Sequence, residues 1–199
     1  PRDVVPATLA DRTAVELGRS CRVRAGSDAT IVAYGTMVQP ALAAAEALAG
    51  QGWSVGVINA RFAKPMDAAM VREVVGIGPV VTAEDHSEAG GFGSAFLEEG
   101  RRLGLDVSRV DVSGIPADRY IGHGSRGGQL ADVGLDAAGL ADRVRQALPG
   151  GRREVEVEAG GARVLNVAAI LRAVGPADDD VHGTGSARGV AGQVGRVGP

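Results

Sequence analysis

The sequence predicts an α/β domain of three layers (αβα), with helices covering both faces of a mostly parallel sheet. Three observations carry that prediction. Short Val, Ala and Ile runs alternate with Ala- and Leu-rich segments of about 10 to 15 residues, the rhythm of strand–helix–strand units. The runs "ATIVAYG", "WSVGVINARF" and "PVVTAED" are continuously apolar, which marks strands buried on both faces. The helical segments are punctuated by glycine at their ends and by Pro65 with Asp67 at one of their starts.

Residues 1–20, "PRDVVPATLADRTAVELGRS", carry two prolines and no clean period, so they read as an extended lead-in. "CRVRAG" (21–26) alternates and ends in glycine. "ATIVAYG" (29–35) is the first buried strand, bounded by Asp28 and Gly35. "MVQPALAAAEALAGQG" (37–52) is a helix stopped by Gly50 and Gly52. Strand character returns at 53–62, and a helix follows at 64–78. "PVVTAED" (79–85) is the third buried strand, and "GGFGSAFLEEGRRLGL" (90–105) the third helix. "SRVDVSG" (108–114) is a fourth strand. "GGQLADVGLDAAGLADRVRQALPG" gives two short helices, the second capped by Asp136. The α/β domain thus occupies 21–149. Beyond it, residues 150–199 shift to an alternating "REVEVEA", a "DDD" and a Gly/Arg/Val/Ala tail. That tail lacks the apolar content to offset the entropy of ordering and is expected to be largely disordered.

Composition bounds the function. With 199 residues there is room for one domain and an appendage, and with 3% aromatics the core must be built from Val, Leu, Ala and Ile. A net charge of −3 and a pI near 5.6 exclude the basic face that nucleic acid requires. The single Cys21 excludes a disulfide framework and a thiolate-only metal site and fits a reducing cytoplasm. No apolar run of about 18 residues is present to span a membrane, and no basic-then-apolar leader precedes the domain. The chain opens on Pro1-Arg2, and we expect it to be a piece of a longer protein.

Candidate chemistry clusters in "VVTAEDHSEAGGFGSAFLEEG" (80–100), a strand, a glycine-rich turn and a helix. A dinucleotide fingerprint needs G-x-G-x-x-G/A directly after a strand and an acid about 20 residues on. Gly91 and Gly93 meet the first two positions, and Asp111 closes a later strand at a suitable distance. Phe96, however, fills the third small position, and "DHSEAG" separates the strand from Gly91. Glu84, Asp85 and Glu88 would repel a pyrophosphate. The glycines are expected to serve a tight turn and close backbone approach. Glu84, Asp85, His86 and Glu88 could form an acid/base or metal cluster. Strand geometry puts 84 and 86 on one face and 85 on the other, half a metal site at best. In "GHGSR" (122–126), His123 and Ser125 are too close in sequence to make a nucleophilic triad alone, and no G-x-S-x-G elbow is present. Arg126 with backbone amides could bind an anion, although a structured surface loop is the plainer reading. Met37, Met66 and Met70 sit in apolar stretches and read as core.

The order of motifs resembles a known family. "ATIVAYGTMVQPALAAAEAL", "VGVINARFAKPMD", "VVTAEDHSEAGGFGSA" and "GIPADRYIGHGSRGGQLADVGLDAAGL" together resemble the C-terminal domain of the transketolase superfamily of thiamine-diphosphate enzymes. Within it, the block "GIPADRYIGHGSR" followed by "GLDAAG" is similar to the 1-deoxy-D-xylulose-5-phosphate synthases. The resemblance implies a transferase that condenses pyruvate with glyceraldehyde 3-phosphate, losing carbon dioxide, on the way to isoprenoids, thiamine and pyridoxal. It implies thiamine diphosphate with Mg2+ as cofactor, held by domains with a GDG motif that this chain lacks, and a homodimer. It also implies that this domain packs and dimerises without supplying catalytic residues or binding the cofactor by itself. "PRD" (1–3) is similar to the remnant of an "R-Y-P-R-G" segment whose arginine holds the substrate phosphate, so Arg2 is the substrate-binding candidate. Asp3 departs from that pattern. Two alternatives stay open: the equivalent domain of a transketolase or of a 2-oxoacid dehydrogenase beta-type subunit, and a stand-alone interaction or regulatory module.

Overall fold

The computed structural model describes residues 15–148. The lead-in through residue 14, Arg2 included, and the segment 149–199 lie outside the described residues. Five strands form one sheet: β1 (Cys21–Arg24), β2 (Ala29–Ala33), β3 (Val55–Asn59), β4 (Val80–Ser87) and β5 (Val110–Ile115). Their order is β1-β3-β2-β4-β5, with β1 antiparallel to β3 and every other pairing parallel. The mostly parallel sheet expected from the continuous Val/Ile runs is what forms, and β1, the alternating "CRVR" segment, is its antiparallel edge.

Period-two alternation splits the strands' apolar side chains between two cores. Ala29, Ile31 and Ala33 of β2, Val55 and Val57 of β3, and Val81 and Ala83 of β4 face helices α1 (Val38–Ala49) and α5 (Ala137–Ala147). Val32, Ile58 and Val80 point the other way, onto α2 (Ala68–Ile77) and α3 (Phe92–Arg102). The three layers follow directly, with small α1 residues Ala41, Ala44 and Ala45 letting that helix lie close to the sheet. A short helix α4 (Arg126–Asp132) precedes α5.

Several element boundaries differ from the sequence expectation. The "AYGTM" segment passes from strand into a 3-10 turn at Gly35–Met37 before α1 begins. Helix α2 starts at Ala68, because Asp67 stands outside it as the N-cap and accepts from the Ala69 and Met70 amides. Strand β4 runs two residues beyond Asp85, to Ser87, with a register irregularity between Ala83 and Ser87 where it pairs β5. All of the parallel strands end at one edge of the sheet, and the segments that follow β2, β4 and β5 gather there.

Candidate functional site

The carboxyl edge of the parallel strands is where open α/β sheets build sites, and it is where Glu84, Asp85, His86, Glu88 and the 122–126 loop are found. Glu84 is the fifth residue of β4 and points into the core shared with α3, where only 1% of it is exposed. Its two carboxylate oxygens divide the start of α3 between them. Oε2 accepts from the Phe92 amide at 2.6 Å, and Oε1 accepts from the Gly93 amide at 2.8 Å. A buried carboxylate therefore fills the positive end of the helix that a phosphate would otherwise occupy. The glycines make this possible. A Cβ on Gly91 would stand 2.2 Å from Glu84 Oε2 and 2.3 Å from the Ser87 carbonyl oxygen. One on Gly93 would lie 2.4 Å from Val112 Cγ1. Phe96 is fully buried and tilted against Phe92, which stacks on Tyr34 at a centroid distance of 5.2 Å.

The acid cluster does not converge. His86, expected on the face of Glu84, is exposed, because the alternation of β4 breaks at the irregularity after Ala83. Asp85 leaves the strand towards α4 and pairs with the Arg126 guanidinium, which also reaches Thr36 Oγ1 at 3.3 Å. Glu88 turns back to accept from the Gly114 amide and lies 3.8 Å from Arg143 of α5. Asp111 is the second residue of β5 and so lies near the strand's beginning, where Arg143 holds it at 3.3 Å. That corrects its expected place at a strand end beside the glycine turn. The extension of β4 also corrects the gap before Gly91, which shrinks to Glu88, Ala89 and Gly90.

The "GHGSR" loop is built as a docked surface segment. Ser125 caps α4 by accepting from the Gly128 amide, which uses the hydroxyl that a nucleophile would need. His123 is exposed, and Tyr120 is wholly so. The loop is tied at its ends by Arg119, which donates to the Asp132 carbonyl and carboxylate, and by Gln129, which donates to the Gly122 carbonyl. Under it, Asp85, Arg126, Gln129, Ile115, Ile121 and Leu130 line a cavity of about 190 Å3. Sequence reasoning named Asp85 and Arg126 separately and missed that they meet. They lie 41 residues apart, and nothing local signals the pairing.

Asp67 is the most heavily bonded acid of this edge. Besides its two cap bonds it accepts from the Ser20 amide and hydroxyl, both at 2.9 Å, and lies 3.8 Å from Arg19. Burial pushes its carboxyl up, but these donors and the Arg19 charge outweigh burial and hold it below the ordinary carboxylate range. Asp67 thereby fastens the incoming chain at 19–20 to the start of α2.

These geometries bear on the cofactor expected from the resemblance. Helices α2, α3 and α5 begin on carboxylates of the chain itself, Asp67, Glu84 and Asp136. A diphosphate at those starts would meet negative charge. Among the described residues no three His, Cys, Asp or Glu side chains gather to hold a metal ion. The described residues do not fit thiamine diphosphate with Mg2+.

A five-stranded, mostly parallel αβα sheet of this order is a domain of the transketolase C-terminal type. The chain belongs to that family: the model of "Transketolase, C-terminal domain" matches residues 18–140. Among curated proteins it is similar to the 1-deoxy-D-xylulose-5-phosphate synthases of Geobacillus thermodenitrificans and Rhodopirellula baltica. The first is 46% identical over 128 residues, covering 64% of this chain and 20% of the relative. The second is 44% identical over 134 residues, covering 67% and 21%. The synthase of Aquifex aeolicus is 44% identical over 139 residues, covering 69% of this chain and 22% of the relative. The chain thus spans about one fifth of the length of the curated relatives it matches. Among solved structures, a split-gene transketolase described as an inactive beta4 tetramer superposes with a TM-score of 0.66 at 32% identity. That match covers 74% of this chain and 48% of the other.

Proposed function

We propose that this chain is the C-terminal domain of a transferase that condenses pyruvate with glyceraldehyde 3-phosphate, releasing carbon dioxide and forming 1-deoxy-D-xylulose 5-phosphate. The observation that carries this reading is the 42–46% identity to synthases of that name over matches 128 to 139 residues long. The domain's part in the reaction is structural. It presents an ordered carboxyl edge, with Tyr120 and His123 outermost, against the rest of the enzyme. Thiamine diphosphate and Mg2+ are held outside this domain, a reading supported by the carboxylates that already occupy the helix starts. Arg2 binds the phosphate of glyceraldehyde 3-phosphate, and the enzyme works as a homodimer in the cytoplasm. Among the described residues no helix is long and apolar enough to cross a membrane.

Two measurements test this. The whole gene product, given pyruvate and glyceraldehyde 3-phosphate, should release carbon dioxide and deoxyxylulose phosphate in equal amounts. Ketol transfer between sugar phosphates without pyruvate would favour instead the transketolase reading that the split-gene structure supports. Calorimetry on the 199-residue chain with thiamine diphosphate and Mg2+ should show no binding. Micromolar affinity would overturn the placement of the cofactor.

A further inference from the structure

At the opposite, amino edge of the sheet lies a cleft of about 330 Å3, within the size range of small-molecule sites. Its floor is apolar: Val75 of α2, Val80 at the start of β4, Leu105 after α3, and Val110 at the start of β5. Arg72 rises from the α2 wall, and Arg109 from the opposite wall, the connection from α3 into β5.

The state of these two arginines sets the cleft apart. Nearly every other arginine among the described residues is committed, to Asp67, Glu73, Glu46, Glu99, Asp132, Asp85, Asp111 or Asp142. Among the described residues the side chains of Arg72 and Arg109 make no hydrogen bond and no ion pair within 4 Å; the Arg72 charge reaches Glu99 and the Arg109 charge reaches Asp106 only at longer range. Both acids take their hydrogen bonds from other groups. Glu99 is bound in a fork by Arg102 at 2.6 and 2.7 Å, and Asp106 accepts from the Ser108 amide at 2.9 Å. The charged residues lining the cleft are two arginines and one carboxylate, Asp106, so its lining is net positive, with Glu99 just outside it near Arg72. Complementing a helix dipole does not account for the pair. Arg72 sits at mid-helix in α2 rather than in its last turn, and Arg109 is in no helix.

A glycine adds an independent mark. Gly76 is the second-to-last residue of α2, where glycine costs at most about 1 kcal/mol relative to alanine. A Cβ there would meet no atom within 4 Å, so packing does not require glycine at this position. Gly76 lines the cleft, and the missing side chain leaves its mouth open.

We propose that this cleft binds a small organic anion. The anionic head sits between Arg72 and Arg109, where guanidinium is suited to carboxylate or phosphate oxygens. An apolar body of a few carbons lies on Val75, Leu105 and Val110. The site stands independently of the reaction assigned above.

The test is titration of the 199-residue chain with two probes, isovalerate and n-butyl phosphate, followed by calorimetry and amide chemical-shift mapping. Inorganic phosphate and acetate serve as the headgroup-only controls. At least one probe should bind and shift the amides of 75–80 and 105–110, about tenfold more tightly than its control, from burial of its extra carbons. Whichever probe binds identifies the head as carboxylate or phosphate. Arg72→Ala and Arg109→Ala should each weaken binding about tenfold, the loss of one charge-assisted contact at an exposed site. Gly76→Leu should block binding while the thermal midpoint stays level or rises, since leucine favours the helix. That variant separates occlusion from misfolding. No shift with either probe at millimolar concentration would overturn the proposal. So would undiminished binding in the Arg72→Ala/Arg109→Ala double variant, or controls that bind as well as the probes.

Discussion

Replacing Glu84 by glutamine should destabilise the domain by about 2–3 kcal/mol, and the structure sets that figure. The carboxylate is 1% exposed and accepts two backbone hydrogen bonds, one per oxygen. Hydrogen bonds to charged groups contribute roughly 1.5–3 kcal/mol each, and a buried donor left unsatisfied costs about 1–3 kcal/mol. Glutamine keeps the volume and can accept from one of the two amides, but its NH2 must then face the other N–H, donor against donor. Burying a carboxylate is itself unfavourable by several kcal/mol, and glutamine relieves that part, which keeps the net loss well below the sum of two lost bonds. An apolar replacement such as Glu84→Leu leaves both amides of a buried helix start orphaned and should cost more, about 3–5 kcal/mol. The assay is urea unfolding with an unchanged m-value, together with hydrogen exchange at Phe92 and Gly93, whose protection should fall in both variants. For a domain of this size each kcal/mol lowers the thermal midpoint by about 3–5 °C, so Glu84→Gln should melt roughly 6–15 °C lower. A Glu84→Gln protein that loses the activity of the whole enzyme while its unfolding free energy stays within about 0.5 kcal/mol of the parent would refute the structural role. Glu84 would then be a chemical one.

The neighbouring glycines should separate steric from conformational need. Gly91→Ala places a methyl 2.2 Å from Glu84 Oε2 and should cost about 3 kcal/mol or prevent folding, whereas Gly90→Ala meets open space and should lose only the roughly 1–2 kcal/mol of a left-handed φ of +74°. Equal losses at the two positions in a denaturant series would contradict the geometry. For Asp67, the folded carboxyl lies below its unfolded value of about 3.9, so its contribution is fully present above that value. It is lost as pH falls through it towards the folded one. Asp67→Asn should therefore flatten the acid limb of the stability–pH curve below about pH 5, and a limb of unchanged slope would argue against it. The Asp85–Arg126 pair, with side chains about 30% exposed, should show a coupling of only about 1 kcal/mol in a double-mutant cycle. A coupling of several kcal/mol would mean that the pair is far better shielded than its exposure allows.

The fold was legible because burial on both faces leaves a mark in every residue of a central strand. In "ATIVA" and "VVTA" no position tolerates a charge, so the run itself reports a parallel sheet with helices on each side. The carboxyl edge was legible only in its residue types. Glu84 ends the apolar run of β4 and α3 opens at Phe92 eight residues later, and that spacing could as well have served a phosphate. What decides between the two uses is where the Glu84 side chain turns, onto the Phe92 and Gly93 amides, a direction set by the tertiary structure rather than by local sequence. The Asp85–Arg126 and Glu88–Arg143 contacts were illegible for the same reason, since each joins segments brought together only by strand order. Read upward from these contacts, the edge has a consistent logic: Glu84, Asp85, Glu88 and Asp67 are each consumed inside the domain, by amides or by arginines. Of the side chains left pointing outward besides His86, Tyr120 and His123 stand on a loop tied at both ends and suit recognition of another protein surface better than turnover of a small molecule. That is the physical reason to look for this domain's contribution in assembly, and for the chemistry in the four fifths of the relatives that this chain does not span.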